Sequence, residues 1–279
     1  MPNVLLKRYE KPSMWRRMSL ANWRHPTDPQ VYGRLEVDMT RALDFAHKES
    51  ERTGARVTAT HLVARAVAIA LRRHPAANGI IRWNRIYERQ NVDVFCQVAI
   101  PGEKPDLSGA VLRNVDLKRP GEIAMELAER SRLIREGKDG RVANARRSLD
   151  RMPDFLYRFV LGFLAILQYT LNLDLRVFGL PRDPFGGAMV TSVGSLGIAE
   201  GFAPLVPMSY SPLLVSVGKV RDRPVAVEGR VEVRPTCVLC AVFDHRMMDG
   251  VTAGLLTQAV EEYLSDPETF EAGRERPRA

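Results

Sequence analysis

Short runs in which apolar and polar residues alternate are interleaved along this chain with longer stretches of helical period. Over residues 31–38, Val31, Gly33, Leu35 and Val37 fall on one side, which predicts a strand. A helix is predicted to begin at Thr40, a residue type suited to an N-cap, with Leu43, Phe45 and Ala46 as its apolar stripe. A second helix is expected over about 58–73. It is apolar on most faces and therefore buried, with Thr60 as its cap and His74-Pro75 ending it. Residues 80–100 read as two or three strands, the clearest over 91–100, and Pro101-Gly102 terminates the last. Residues 120–137 form a charged amphipathic helix, with Pro120 in its first turn and Ile123, Leu127 and Leu133 inward. Strands follow at 188–193, 213–220 and 231–243, then a helix over 251–264. The polar residues 268–279 are expected to be a disordered tail. Helices and strands mixed along one chain predict a single α/β domain over 1–279.

One segment breaks this rhythm. From Phe155 to Tyr169 the chain is almost continuously apolar, inside a helical insert placed at 140–184. That run is shorter than the ~20 residues a bilayer span requires. It reads as a buried or interface helix. Contact with a membrane surface through 152–180 is the other reading, because Arg146, Arg147, Arg151 and Arg158 lie close by.

Composition adds bounds. Of 279 residues, 45% are hydrophobic and 27% charged, an ordinary soluble balance. The net charge of +8 would attract anionic partners, but the basic residues are scattered and no nucleic-acid-binding motif accompanies them, so nucleic acid is not an expected partner. Three cysteines do not make a disulfide framework, and the first nine residues lack an apolar signal core; a cytoplasmic location is expected, with membrane association left open. Cys237 and Cys240 sit in a strand-like run and read as core packing. His25, His47, His61 and His74 show no metal-ligand spacing, and no metal is expected.

The candidate chemistry lies in Asp244-His245-Arg246-Met247-Met248-Asp249-Gly250. A histidine can take a proton from a thiol or alcohol near neutral pH. A carboxylate four residues on can fix the surrounding loop, and Gly250 would let the chain turn sharply into the next helix. Alone, such a motif reads equally well as a polar surface turn.

Further segments stand in a consistent order around it: residues 34–40, His74-Pro75-Ala76-Ala77-Asn78, Val111 to Asp116, Gly194-Ser195-Leu196-Gly197, and 261–269. Together with Asp244 to Gly250 they resemble the catalytic domain of the dihydrolipoyl acyltransferases of 2-oxo acid dehydrogenase complexes, over about residues 15–270. The resemblance implies a chloramphenicol acetyltransferase-like fold, a two-layer sandwich of a mixed sheet with helices on one face. It implies acyl transfer between coenzyme A, as substrate, and a dihydrolipoyl thiol or other small acceptor. His245 would be the general base. Asp249 would hold the local structure through an arginine, Arg16 or Arg17 being the candidates. The site would lie between subunits of a trimer or a higher assembly of trimers. Where the family has a serine on a Ser-Asn-Leu-Gly turn, this chain has Gly194; Ser195 is one residue later and Ser192 two earlier. Ser195 is the expected oxyanion donor, on a turn shaped by Gly194 and Gly197. No lipoyl domain is read ahead of Trp15, so the acceptor is expected to be a lipoyl-bearing protein or a free small molecule. The other reading is a non-catalytic or weakly catalytic core of a dehydrogenase-type complex.

Overall fold

The computed structural model describes residues 14, 28–100, 106–136, 153–176 and 180–273. A mixed sheet is built from β1 (Gln30–Asp38), β4 (Val94–Ile100), β5 (Asp106–Leu112), β6 (Ala188–Ser192), β7 (Leu213–Val217), β8 (Arg221–Val227) and β9 (Arg230–Asp244). Its order is β1-β9-β7-β6-β4-β5, with β8 hairpinned onto the first half of β9. β6 is parallel to both β4 and β7, and the other pairings are antiparallel. A separate hairpin is formed by β2 (Gly79–Arg82) and β3 (Arg85–Glu88).

Four helices form the layer on one face: α1 (Thr40–Thr53), α2 (Ala59–Arg73), α3 (Pro120–Arg135) and α5 (Gly250–Ser265). α2 is the centre of the layer. All residues from Leu62 to Leu71 are buried, and it packs against α5, α3 and α1. The predicted fold class is therefore the observed one. Cys237, Leu239 and Phe243 of β9 face this layer, whereas Val238, Cys240 and Val242 are buried on the opposite face. Cys237 and Cys240 thus point to opposite sides of one strand and cannot clasp a common ion. Burial pushes the Cys237 thiol up to about 11 and the Cys96 thiol up to about 12.

Three local expectations need correction. Thr40 does not cap α1; Met39 holds that position, and the Thr40 N–H and hydroxyl both donate to the Asp38 carboxylate at 2.9 and 2.6 Å. Thr58, not Thr60, caps α2, in a capping box where the Thr58 N–H donates to His61 Nδ1 at 3.0 Å. Disorder at 268–272 also fails. Pro267–Ala272 is a short helix, α6, capped by Asp266, which accepts the Thr269 N–H. Residues 274–279 lie outside the described residues.

α6 matters because it carries Glu271 into the core. Glu271 Oε1 accepts from Arg65 Nε of α2 at 2.7 Å and from the Tyr263 hydroxyl of α5 at 3.2 Å. Arg65 Nη1 reaches the carbonyls of Val115 and Asp116 at 3.3 and 2.6 Å. Both charged side chains are almost wholly buried, at 1% and 0% exposure. One ion pair therefore ties the central helix, the end of the chain and the turn after β5.

The apolar segment forms α4 (Asp154–Ala165), extended by one π turn over Ile166–Thr170. It stands outside the four-helix layer, with its main contacts to the 207–209 turn and, through the π turn, to β2. Ala165 and Tyr169 are buried, but Phe159 and Phe163 are 71% and 60% exposed. No helix among the described residues is long and apolar enough to cross a membrane.

Two stability predictions follow from these contacts. Glu271→Ala leaves Arg65 charged and buried without its carboxylate, which should cost about 3–5 kcal/mol in chemical denaturation. His61 is pushed down from 6.5 to about 4 by burial, and its Nδ1 must stay unprotonated to accept the Thr58 N–H. The unfolded chain then binds this proton first as pH falls, so stability present above pH 6.5 should be lost between about 6.5 and 4, by roughly 3 kcal/mol. His61→Gln should flatten that part of the stability–pH curve.

Candidate active site

β9 ends in the sheet's interior and delivers the Asp244-His245-Arg246 turn at its tip. The backbone is held on both sides: Asp244 N–H donates to the Pro212 carbonyl at 3.0 Å, and His245 N–H to the Pro29 carbonyl at 2.9 Å. The Asp244 carboxylate, mostly buried, is gripped by Arg246 through its backbone N–H at 2.9 Å and its guanidinium at 2.5 to 3.1 Å. The N–H groups of Met247 and Met248 close the turn onto the Asp244 carbonyl, and Met248 is fully buried as its anchor. His245 itself is exposed, and its ring has no hydrogen-bond partner among the described residues. The turn is pinned at every residue except the imidazole.

Asp249 is the N-cap of α5. Its carboxylate accepts the Thr252 N–H and hydroxyl, each at 2.8 Å. These hydrogen bonds, chiefly from the Thr252 backbone, hold the carboxyl below its usual range, and nearby His245 adds to the effect. The expected arginine partners, Arg16 and Arg17, lie outside the described residues. Gly250 was expected to be needed for a sharp turn, but it has an ordinary backbone conformation and open space around it. The turn into α5 rests on the Asp249 cap instead.

The glycine turn is at the end of β6. Gly194–Leu196 make one 3-10 turn, and Gly197 ends it in the left-handed region at φ 84°. Gly194 is required for a different reason. A Cβ there would lie 2.5 Å from the Gly218 carbonyl oxygen and 2.7 Å from the Lys219 nitrogen, both backbone atoms. No side chain fits at 194, so any hydroxyl of this turn comes from Ser192 or Ser195. Ser195 is exposed, and its hydroxyl donates to the Ser192 carbonyl at 2.7 Å. Ser192, half-buried, accepts a long 3.4 Å bond from the Ser195 N–H, and its hydroxyl proton has no acceptor among the described residues.

The structure does not bring the two halves together in one chain. Ser192 pairs with Val217, and Val217 pairs with Leu239. Leu239 is five residues short of Asp244, which places the serine turn roughly 17 Å from the His245 turn along the strands. Beside the His245 turn instead are Tyr210 and the 207–209 turn. Tyr169 of the π turn stacks on Tyr210 with ring centroids 4.8 Å apart. Tyr210 lies close enough to Arg246 to raise the proton affinity of that guanidinium, though the Asp244 hydrogen bond contributes more. Sequence reasoning missed this aromatic stack, because Tyr169 and Tyr210 belong to segments without shared periodicity. Asn78 and Arg113, in two other segments of the motif series, are bonded within the fold. The Asn78 amide donates to the carbonyls of Arg89 and Asn91, and Arg113 pairs with Asp93 at 2.7 Å. Among the described residues no group of three or more His, Cys, Asp or Glu side chains could hold a metal ion.

The chain as a whole, with a histidine turn at one sheet end and a glycine-serine turn at the other, is similar to known proteins. Residues 11–142 and 184–272 match the model of the 2-oxoacid dehydrogenases acyltransferase (catalytic domain) family, and the chain belongs to that family of acyltransferases. Residues 143–183, which include α4, are left unmatched. The chain is 27% identical over 254 residues to the dihydrolipoyllysine-residue acetyltransferase component of the acetoin cleaving system of Bacillus subtilis, covering 89% of this chain and 51% of that one. It thus spans about half the length of that curated relative. Among solved structures, a probable dihydrolipoamide acetyltransferase from Listeria monocytogenes superposes with a TM-score of 0.64 at 22% identity, over 94% of this chain and 97% of that one. The cubic core of the pyruvate dehydrogenase multienzyme complex gives 0.63 at 20%, over 96% and 99%. These likenesses establish the fold as that of the acyltransferase cores.

Gly194→Ser is expected to fail as a repair of the family pattern. Forcing a Cβ against the Gly218-Lys219 backbone should lower stability by about 1–3 kcal/mol without raising turnover. Thermal denaturation alongside a CoA-release assay measures both.

Proposed function

We propose that this protein is a CoA-dependent acyltransferase that moves an acyl group between coenzyme A and a thiol, a dihydrolipoyl group or another small acceptor, with His245 as general base. The carrying observation is the His245 imidazole, exposed and without a hydrogen-bond partner among the described residues, on a turn whose other residues are anchored. A free ring nitrogen can accept the proton of an incoming thiol. The thiolate then attacks the thioester carbonyl carbon, and the carbonyl oxygen takes the charge. Collapse of the tetrahedral intermediate expels the second thiolate, which recovers the proton from His245. Asp249 keeps α5 and the turn in register and places a negative charge near the imidazolium as it forms.

The oxyanion needs a donor, an interaction commonly worth about 3 kcal/mol of barrier. Ser195 is the expected residue, but its proton is engaged with the Ser192 carbonyl, so Ser192, whose hydroxyl proton has no acceptor among the described residues, is the better candidate of the two. With the turns roughly 17 Å apart in one chain, the working site would combine His245 of one copy with the Ser192–Ser195 turn of a second. A closed ring of such head-to-tail contacts is what a trimer provides. The cubic-core relative is an assembly of many subunits, which supports the same reading. The acceptor would be a lipoyl group on a partner protein or a free small molecule.

A second reading, a non-catalytic or weakly catalytic core of a dehydrogenase-type complex, draws on the glycine at 194. One assay separates them: CoA release from acetyl-CoA with dihydrolipoamide as acceptor. His245→Ala should lower turnover about a hundredfold or more, as loss of a general base does. Mixing and reassembling His245→Ala with Ser192→Ala subunits should restore part of the activity, because some interfaces then hold both intact residues. A folded, assembled wild type without turnover would favour the core reading and direct the search to other acceptors.

A further inference from the structure

β1 carries one residue that its own geometry does not explain. Val31, Leu35 and Val37 turn their side chains to the helical layer, and Gly33 interrupts that row. Nothing in the backbone requires a glycine there. Its φ lies outside the left-handed region, and the β1–β9 ladder runs without a bulge from Gln30 to Asp38. An added Cβ would meet only Phe243 Cε1, at 3.9 Å, an ordinary contact. A glycine inside a strand weakens it. Where neither bulge nor bend accounts for it, it marks a place where something else approaches the backbone.

Over Gly33 lies a slot between the sheet and α5, with a volume of about 150 Å³. Ala241, which pairs with Gly33 on β9, lines it together with Ala70 of α2 and Ala253 of α5. Four of the smallest side chains thus surround one space between the two layers. Along β9 the lining residues are Leu239, Ala241 and Phe243, so the slot follows the strand for roughly 14 Å. Its inner end is walled by Phe243 and Met248, which stand on either side of the Asp244-His245-Arg246 turn in sequence. Its mouth is at the edge strand of the sheet, where Gly33, Leu35 and Ala253 are half-buried and Thr257 is exposed.

We infer that this slot binds a small hydrocarbon group, a chain or ring of about six carbons. Water is a poor occupant, because a buried water needs two to four polar partners. The Thr257 hydroxyl is committed to the Ala253 carbonyl at 2.8 Å. The Arg34 guanidinium is drawn to Glu200 and Glu36 instead, at 2.9 and 3.0 Å. Strand peptide groups point along the plane of the sheet, and helix peptide groups along the helix axis, so neither is aimed into the space. An apolar cavity of this size stays dry and takes up benzene or xenon. The occupant would pack against Phe243 and Met248 and so support the His245 turn from beneath. Two sources share this chemistry: a free apolar molecule, and the tail of the acyl group being transferred. The second source rests on the acyltransferase reading above; the slot itself does not.

The test uses the full chain, with benzene and hexanoyl-CoA as probes. Near-saturating benzene should raise the Tm of the wild type by about 2–4 °C, since it binds the folded state alone. Gly33→Val and Ala253→Leu fill the slot from opposite walls. Each should remove most of that shift with an unchanged circular dichroism spectrum, and the second variant serves if the first does not fold. No shift in the wild type overturns the inference, whether the slot is closed or another part of the chain fills it. An equal shift in the wild type and a folded filled variant overturns it too. Turnover then assigns the source. If the filled variants lose hexanoyl-CoA turnover about tenfold more than acetyl-CoA turnover, the slot holds the acyl tail. If that ratio is unchanged while the benzene shift is lost, the ligand is a free apolar molecule. A wild type inactive on both thioesters counts against the acyltransferase reading alone, because the thermal test needs no catalysis.

Discussion

The structure turns on the register of three strands. β6 and β7 run parallel, β9 runs against them, and Ser192 is level with Leu239 rather than with Asp244. Two turns rich in functional groups therefore leave the sheet at opposite ends. A one-residue slip would flip every side chain of a strand to the other face, and both faces of β9 are buried, so this spacing is rigid. No loop movement within one chain could close a gap of roughly 17 Å set by strand rise. In the proposed site a second copy spans that gap.

The rest of the molecule keeps those two ends firm. At the histidine end, anchoring falls to the neighbours of His245: Asp244 with Arg246, the buried Met248, and the Asp249 cap of α5. The imidazole, without a hydrogen-bond partner among the described residues, is not needed to hold the turn. α5 is held in turn by the buried network of Tyr263, Glu271 and Arg65, which links it to α2. At the serine end the backbone of the turn is pressed against Gly218, and Lys219 N–H donates to the Ile198 carbonyl at 3.0 Å. The sheet spaces the halves, and the helical layer fixes the attitude of the histidine half.

What was legible from residues alone follows from how local each signal is. β9, α2 and α5 could be read because period and burial agree along them. The histidine turn could be read because its members are contiguous. β8 was missed: it is mostly exposed, carries Pro224, and lacks a buried face to set its period. α6 looked like a polar tail because Glu271 finds its partner 206 residues away. The role of Gly194 depends on a neighbour at 218, and the apolar run of α4 gave no sign of which side the fold would leave open. In each case the missing information was tertiary.

The glycine at 194 bears on catalysis less than it first suggests. Read along the sequence, it looks like a lost serine and hence a decaying site. In the fold, the close approach of Gly218 and Lys219 excludes any side chain there, whatever the protein does. That approach is also what lets Lys219 bond Ile198 and brings the 193–198 turn down against the end of β7. Its geometry leaves Ser195 holding the Ser192 carbonyl and the Ser192 hydroxyl proton free among the described residues. In the proposed site, the departure from the family pattern would therefore be a relocation of the donor hydroxyl from position 194 to Ser192.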